Sequence, residues 1–333
     1  MSKKHIYIYS PSGAVRDKAA FKRGIARLTQ LGHEVEIDEA ALASYQRFAG
    51  DDATRLAAIH RACASGADVA MISRGGYGLT RILPGINYKA VAKSIDKGTN
   101  FVGISDFTAF QSAVLAKTAH TTWAGPALCE AFGVGGKPKV GIALKDQVLV
   151  PDDIMEACFD DLICGQGEGT GWRQHREAVS RAVKTGTTQS NSAYPDKTFS
   201  VRNSTLWGGN LSVLTSLLGT PYFPEVKGGL LFLEDIAEHP YRIERMLTQL
   251  LHSGVLARQK AIIFGQFTDY KLVPHDRGFK LSSVIDWLRQ QIKVPVLTNL
   301  PYGHVATKVV LPVGATCELA AEGRDVMLVW GHM

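Results

Sequence analysis

Apolar and polar residues alternate over His5–Ser10, a run rich in β-formers that Pro11-Ser12-Gly13 breaks. A helical spacing of apolar positions follows from Asp17 to Leu31 and stops at Gly32. Glu34–Ile37 then predicts a second strand, 53–65 a helix ended by Gly66, and Val69–Ser73 a short buried strand running into Arg74-Gly75-Gly76-Tyr77-Gly78. Phe101–Ile104 predicts another strand, and Asp106–Ala116 has helical composition. Strands that alternate with helices in this way specify an open, largely parallel sheet with helices on its faces. Ligands of such sheets collect beyond the carboxyl ends of the strands, which directs attention to the turns at 74–78 and 103–106.

Between about 133 and 200 the periodicity fades. The glycines of Gly133–Gly136 and Gly165–Gly171, and the polar run Thr185–Ser192, predict a connecting region with weak strands. The pattern resumes at Leu206-Trp207-Gly208-Gly209-Asn210 with a helix over Leu211–Leu218, and Gly229–Leu233 reads as a buried strand ending at Glu234-Asp235. Helices are expected near 240–252 and 281–291, with strands at Ala261–Gly265, Val296–Thr298, 307–311 and 326–330. The expected architecture is α/β with two domains. Residues 1–165 form an N-terminal open, mostly parallel sheet flanked by helices, 166–200 connect, and 201–333 form a smaller mixed α/β domain.

Composition narrows the function classes. With 45% hydrophobic and 20% charged residues, the 333-residue chain has an ordinary globular balance and material for a sizeable core. The net charge of +6 suits an anionic partner, but a solvated basic surface explains it as well. The basic residues are scattered and form no nucleic-acid motif, so an acidic small substrate fits them as well as nucleic acid does. The five cysteines make neither a CxxC pair nor a Cys/His metal spacing, and read as reduced packing thiols. Met1–His5 runs straight into strand-like Ile6–Tyr9, too short for a signal peptide, and no stretch approaches the roughly 20 apolar residues of a membrane helix. The expected location is the cytoplasm, with neither membrane nor nucleic acid as partner.

A strand feeds into Gly103-Ile104-Ser105-Asp106, where a helix begins, so the Ser105 hydroxyl is exposed near amides of the next turn. That suits a nucleophile. It also suits a plain helix cap, and Phe107 stands where a G-x-S-x-G turn carries glycine. The glycines of 74–78 let backbone amides approach a ligand, or simply make a turn. Neither a dinucleotide fingerprint nor a P-loop is present, which leaves nucleotide-cofactor oxidoreductases a weak alternative. A serine nucleophile needs a base, and the base a carboxylate. His304 falls in a loop after a predicted strand, and Glu234 ends the most apolar strand of the second half, where it serves equally as a cap or an ion-pair partner of Arg242 or Arg245.

Together these segments resemble one family. Ser10–Gly13, Arg74–Arg81, Gly103–Ala109, Leu206–Leu211, Leu233–Pro240 and Gly303-His304 with Leu311–Gly314 are similar, in order, to the L,D-carboxypeptidases, a family of murein tetrapeptide carboxypeptidases and microcin-immunity relatives. The resemblance implies Ser105 as nucleophile, His304 as general base and Glu234 as its partner, with the backbone N–H groups of Gly76 and Asp106 as oxyanion hole. It implies a cytoplasmic enzyme of peptidoglycan recycling that releases terminal D-alanine from murein tetrapeptides, needs no metal or organic cofactor and forms a homodimer. Arg74, Tyr77, Arg202, Trp207 and Asn210 are candidate substrate contacts, and Arg74, Arg81 or Arg202 the candidate receiver of the terminal carboxylate. Glu234 and His304 lie so far along the chain from Ser105 that the site is expected in a cleft between domains. A peptidase for aminoacyl nucleotide analogues and a non-catalytic α/β ligand-binding protein remain the alternatives.

Overall fold

The computed structural model describes residues 3–135, 150–175 and 199–331, so the polar run Thr185–Ser192 lies outside the described residues. In the first sheet, β1 (His5–Tyr9) pairs in parallel with the edge strand β2 (Glu34–Ile37) on one side and β3 (Val69–Ile72) on the other. Two further parallel strands, β4 (Asn100–Gly103) and β5 (Thr122–Ala124), complete the order β2-β1-β3-β4-β5. Strand order reverses between β1 and β3, so the loops that leave these two strands diverge and open a crevice at their carboxyl ends.

Alternation along the strands sorts the core. Ile6, Ile8, Val69 and Met71 pack with Phe21 and Leu28 of α1 (Lys18–Gln30), while Tyr7, Tyr9, Ala70 and Ile72 face Ala58, Ile59 and Ala62 of α2 (Asp52–Ala64). Between β3 and β4 the chain makes the short α3 (Leu79–Ile82) and then α4 (Tyr88–Asp96); after β4 it makes α5 (Thr108–Thr118). Asp17 starts α1 as expected, its carboxylate accepting the Ala20 N–H at 2.8 Å.

Within the region expected to connect by weak strands, residues 153–164 form a helix, α6 (Asp153–Cys164), capped by Asp152. Met155, Phe159, Leu162 and Ile163 bury its apolar face in the same cluster as α1. Its i, i+4, i+7, i+8 spacing was legible, but the flanking glycines dominated the sequence reading. Beyond it, β6 (Gly169–Arg173) joins the second sheet.

That sheet has a parallel half, β7 (Phe199–Asn210), β8 (Leu230–Ile236), β9 (Ala261–Thr268) and β10 (Val296–Leu297), and an antiparallel half in which β12 (Thr316–Glu322) and β13 (Asp325–Val329) link β7 to β6. Leu231, Leu233, Ile262 and Phe264 face the helices α7 (Leu211–Ser216), α8 (Pro240–His252) and α9 (Leu281–Gln291). Their neighbours Leu230, Phe232, Ala261 and Ile263 face the other way, into the cluster that holds Phe107, Phe110 and Val114 beside α5. The strand expected over 307–311 is instead β11 (Leu311–Val313), which crosses back to pair antiparallel with β5 in the first sheet. Both sheets therefore close on one shared apolar layer. Among the described residues no helix is long and apolar enough to cross a membrane.

Candidate active site

Beyond β4 the chain turns sharply. Ser105 takes φ 66°, a left-handed conformation uncommon for a residue with a Cβ, and opens the single 3-10 turn Ser105–Phe107 that leads into α5. Neither that turn nor α5 has a side-chain cap, so Ser105 and Asp106 do not cap the helix in the expected way. Asp106 is buried and spends its carboxylate on the Leu79 N–H at 2.9 Å, which ties the 103–106 turn to the end of the glycine corner. Burial raises that carboxyl above its ordinary range, against the pull of the N–H groups it accepts. Gly75 lies directly under Ser105: a Cβ there would stand 2.6 Å from the serine Cβ and 2.9 Å from Oγ. Only glycine lets the Gly75–Gly76 backbone come this close to the hydroxyl.

At the carboxyl end of the second sheet's parallel half, Asn210 of β7 is in register with Glu234 of β8. Glu234 is fully buried, and its Oε2 meets His304 Nδ1 at 2.8 Å. Asn210 Nδ2 donates to Glu234 Oε1 at 3.2 Å and to Asp235 Oδ1 at 2.9 Å, while Asp235 Oδ2 accepts the Ser212 N–H at 2.9 Å. Burial and the neighbouring Glu234 charge push the Asp235 carboxyl up to about 6, against these N–H donors. Burial disfavours a charged His304, but the hydrogen bond and charge of Glu234, joined by Glu130 and opposed by Lys308, outweigh it and raise the imidazole above its ordinary value of 6.5.

The loop carrying His304 is fixed along β9. Leu300 N–H donates to Phe264 O at 3.0 Å, Gln266 N–H to Tyr302 O at 2.8 Å, and Val309 N–H closes the loop on Pro301 O at 2.8 Å. Gly303, at φ 141°, passes so near that a Cβ would lie 2.9 Å from Gln266 O and 3.3 Å from Glu234 Oε2.

One hydrogen bond joins the two corners. The Asn210 N–H donates at 3.0 Å to Thr108 Oγ1, on the first turn of the helix that Ser105 introduces. Ser105 turn, Thr108, Asn210, Glu234 and His304 thus form a continuous path across the seam between the sheets.

Other candidates scatter. Arg74 is partly exposed, bonded from Nη1 to Ala14 O at 3.2 Å with Glu130 3.8 Å from Nε; together they line a cavity of about 270 Å³ with Cys129 and Asp17. Tyr77 is 47% exposed, tilted against Phe48 with Arg47 over its ring. Arg81 pairs with Asp52 at 3.0 Å on the outer side of Phe48. Arg202 sits near the start of β7, facing Glu318 at 4.0 Å. Eight residues of strand put it up to roughly 26 Å from Asn210, so it does not join the Glu234–His304 corner. Trp207 is fully buried, donating from Nε1 to Gln259 at 3.0 Å and packed edge-on to Phe223, so it offers a ligand no surface. Asn210, buried, acts on Glu234 and not outward. Sequence reading passed over Thr108, Asp235 and Lys308. An acidic pair at a strand end was a usable signal for Asp235; the other two carry no local pattern.

Residues 6–125 match the LD-carboxypeptidase N-terminal domain and residues 203–319 the LD-carboxypeptidase C-terminal domain. The crystal structure of muramoyltetrapeptide carboxypeptidase from Oxalobacter formigenes is 33% identical, with a TM-score of 0.78 over 98% of both chains. The murein tetrapeptide carboxypeptidase of Pseudomonas aeruginosa is 28% identical over 87% of this chain and 82% of its own. The microcin C7 self-immunity protein MccF of Escherichia coli is 25% identical over 78% of this chain and 72% of its own. Fold and matches define an α/β peptidase. The chain belongs to the LD-carboxypeptidase family, and it is an enzyme of the carboxypeptidase class. A non-catalytic ligand-binding role gives way to that membership.

Proposed function

We propose that the protein is a serine carboxypeptidase that releases terminal D-alanine from murein tetrapeptides in peptidoglycan recycling, with Ser105, His304 and Glu234 as its triad. The observation that carries this reading is the hydrogen-bonded path from the Ser105 turn through Thr108 and Asn210 to a buried Glu234 paired with His304 at 2.8 Å.

In this mechanism neutral His304 takes the Ser105 proton through Nε2 as Oγ forms a bond to the scissile carbonyl carbon. Glu234 holds Nδ1 protonated and stabilises the imidazolium. The amides of Gly76 and Asp106 receive the oxyanion, each worth about 3–4 kcal/mol in a preorganised hole. The carbon–nitrogen bond then breaks, His304 Nε2 hands its proton to the departing amine of D-alanine, and water, deprotonated by the same nitrogen, resolves the ester. Backbone strain at Ser105 suits this role, because sparsely populated conformations persist where the surroundings impose them and concentrate at reacting groups.

Ser105→Ala tests the reading. Release of D-alanine from a purified murein tetrapeptide should fall by roughly a million-fold with the circular dichroism spectrum unchanged; near-normal turnover would remove Ser105 from the mechanism. The similarity to the microcin C7 self-immunity protein, which is described in complex with aspartyl sulfamoyl adenosine, supports a second substrate class, aminoacyl nucleotide analogues. Parallel assays on tetrapeptide and analogue separate the two. We place the enzyme in the cytoplasm as a homodimer. Five free cysteines, partly or fully buried, accord with a reducing compartment, and sedimentation tests the dimer.

A further inference from the structure

The proposed reaction leaves one requirement open: a cation for the substrate's terminal carboxylate. Of the arginines considered from sequence, Arg202 stands at the wrong end of β7 and Arg81 is held by Asp52 on an exposed face, while Arg74 already serves Ala14 O and faces Glu130. Lys308 differs from all three. It is 3% exposed, and among the described residues it makes no hydrogen bond and no ion pair. It lies four residues after His304 on the same loop, which the Val309–Pro301 backbone bond closes. Its neighbour Thr307 is anchored on Asp152 at 2.6 Å, which holds the loop against the start of α6.

The Lys308 stem is buried, yet its Nζ is not one of the enclosed polar atoms without a partner, so the ammonium opens onto solvent where an arriving anion can pair with it. Burial lowers the Lys308 pKa, while Glu130, Glu234 and Asp152 act on it electrostatically in the opposite sense. Glu130 comes from the first-sheet side and Glu234 from the second, and Lys308 in turn acts on His304. Lys308 is therefore carried by the same closed loop that brings His304 to the seam, next to the Thr307 anchor on Asp152. Resting on the functional reading above, we propose that Lys308 receives the terminal carboxylate of the residue to be released and so makes the enzyme a carboxypeptidase and not an endopeptidase. A carboxylate entering the seam supplies the partner that the protein withholds, and in doing so sets the scissile carbonyl one residue back toward Ser105. Glu130 and Glu234, already present, disfavour any peptide that presents further negative charge there.

The test compares a murein tetrapeptide ending in D-alanine with the same peptide ending in D-alaninamide, with product release read by mass spectrometry. The wild-type enzyme should prefer the free acid. In Lys308→Met the acid-to-amide ratio of kcat/KM should collapse by roughly 10- to 150-fold, the range of a hydrogen bond to a charged group, mostly through KM on the acid. Labelling of Ser105 by a serine-directed fluorophosphonate should persist, which separates loss of recognition from loss of the nucleophile. Equal loss on both peptides, or an unchanged ratio, overturns the proposal. Should Lys308→Met not fold, the wild type still decides: equal cleavage of acid and amide means that no cation reads the carboxylate. Failure of the wild type to release D-alanine at all overturns the functional reading instead.

Discussion

A carboxylate held 2.8 Å from an imidazole does two things at once: it orients the ring, and it makes the ring harder to deprotonate. His304 accepts a proton only when neutral. Since Glu234 raises its pKa above 6.5, activity should fall as pH drops through a midpoint above that value. Glu234→Gln removes the charge, so the acid limb of kcat/KM should move to lower pH while kcat falls by about 10⁴-fold, the cost of an imidazole left in the wrong tautomer. A pH–rate profile of both proteins checks it; a limb that stays in place would disconnect Glu234 from the titrating group. Lys308 belongs to the same scale. Among the described residues it makes no hydrogen bond or ion pair, a property invisible along the chain.

At the scale of elements, two close approaches set the site. Gly75 lets a loop after β3 run beneath Ser105 at the end of β4, and Gly303 lets the His304 loop lie across the end of β9 within reach of Glu234. Gly303→Ala must accommodate a methyl group 2.9 Å from a backbone oxygen at φ 141°. It should cost about 1–3 kcal/mol of stability and lower kcat further than that loss alone explains, because the imidazole moves. Thermal melts and initial rates on the same preparation measure both; an unchanged melting temperature with normal kcat would show that the loop relaxes freely. The turn that introduces α5 follows similar logic. Ser105-Asp106 reads locally as a helix cap, yet Asp106 is drawn off by the Leu79 amide and leaves Ser105 uncommitted.

The whole molecule closes on a layer that neither sheet owns. Tyr9, Ile72 and Phe110 pack in one cluster with Leu206, Phe232 and Ile263, and β11 stitches the later part of the chain to β5. Such a shared core should unfold in one cooperative transition, with calorimetric and van't Hoff enthalpies in agreement; two resolved transitions would contradict it. Periodicity alone was enough to predict the parallel βα units of both halves and the turns at 74–78 and 103–106, because each depends on residues a few positions apart. Ser105, Glu234 and His304 are proposed through a pattern of motifs, whereas α6 and β12 were passed over although their spacing is regular. What only the tertiary structure decided is the company each side chain keeps. Trp207 went to the core and Arg202 to the far end of its strand, while Asn210 bridged the seam and the Lys308 stem was buried with no hydrogen bond or ion pair among the described residues. Local order follows from neighbours in the chain; a site built from four distant segments follows from how two sheets pack.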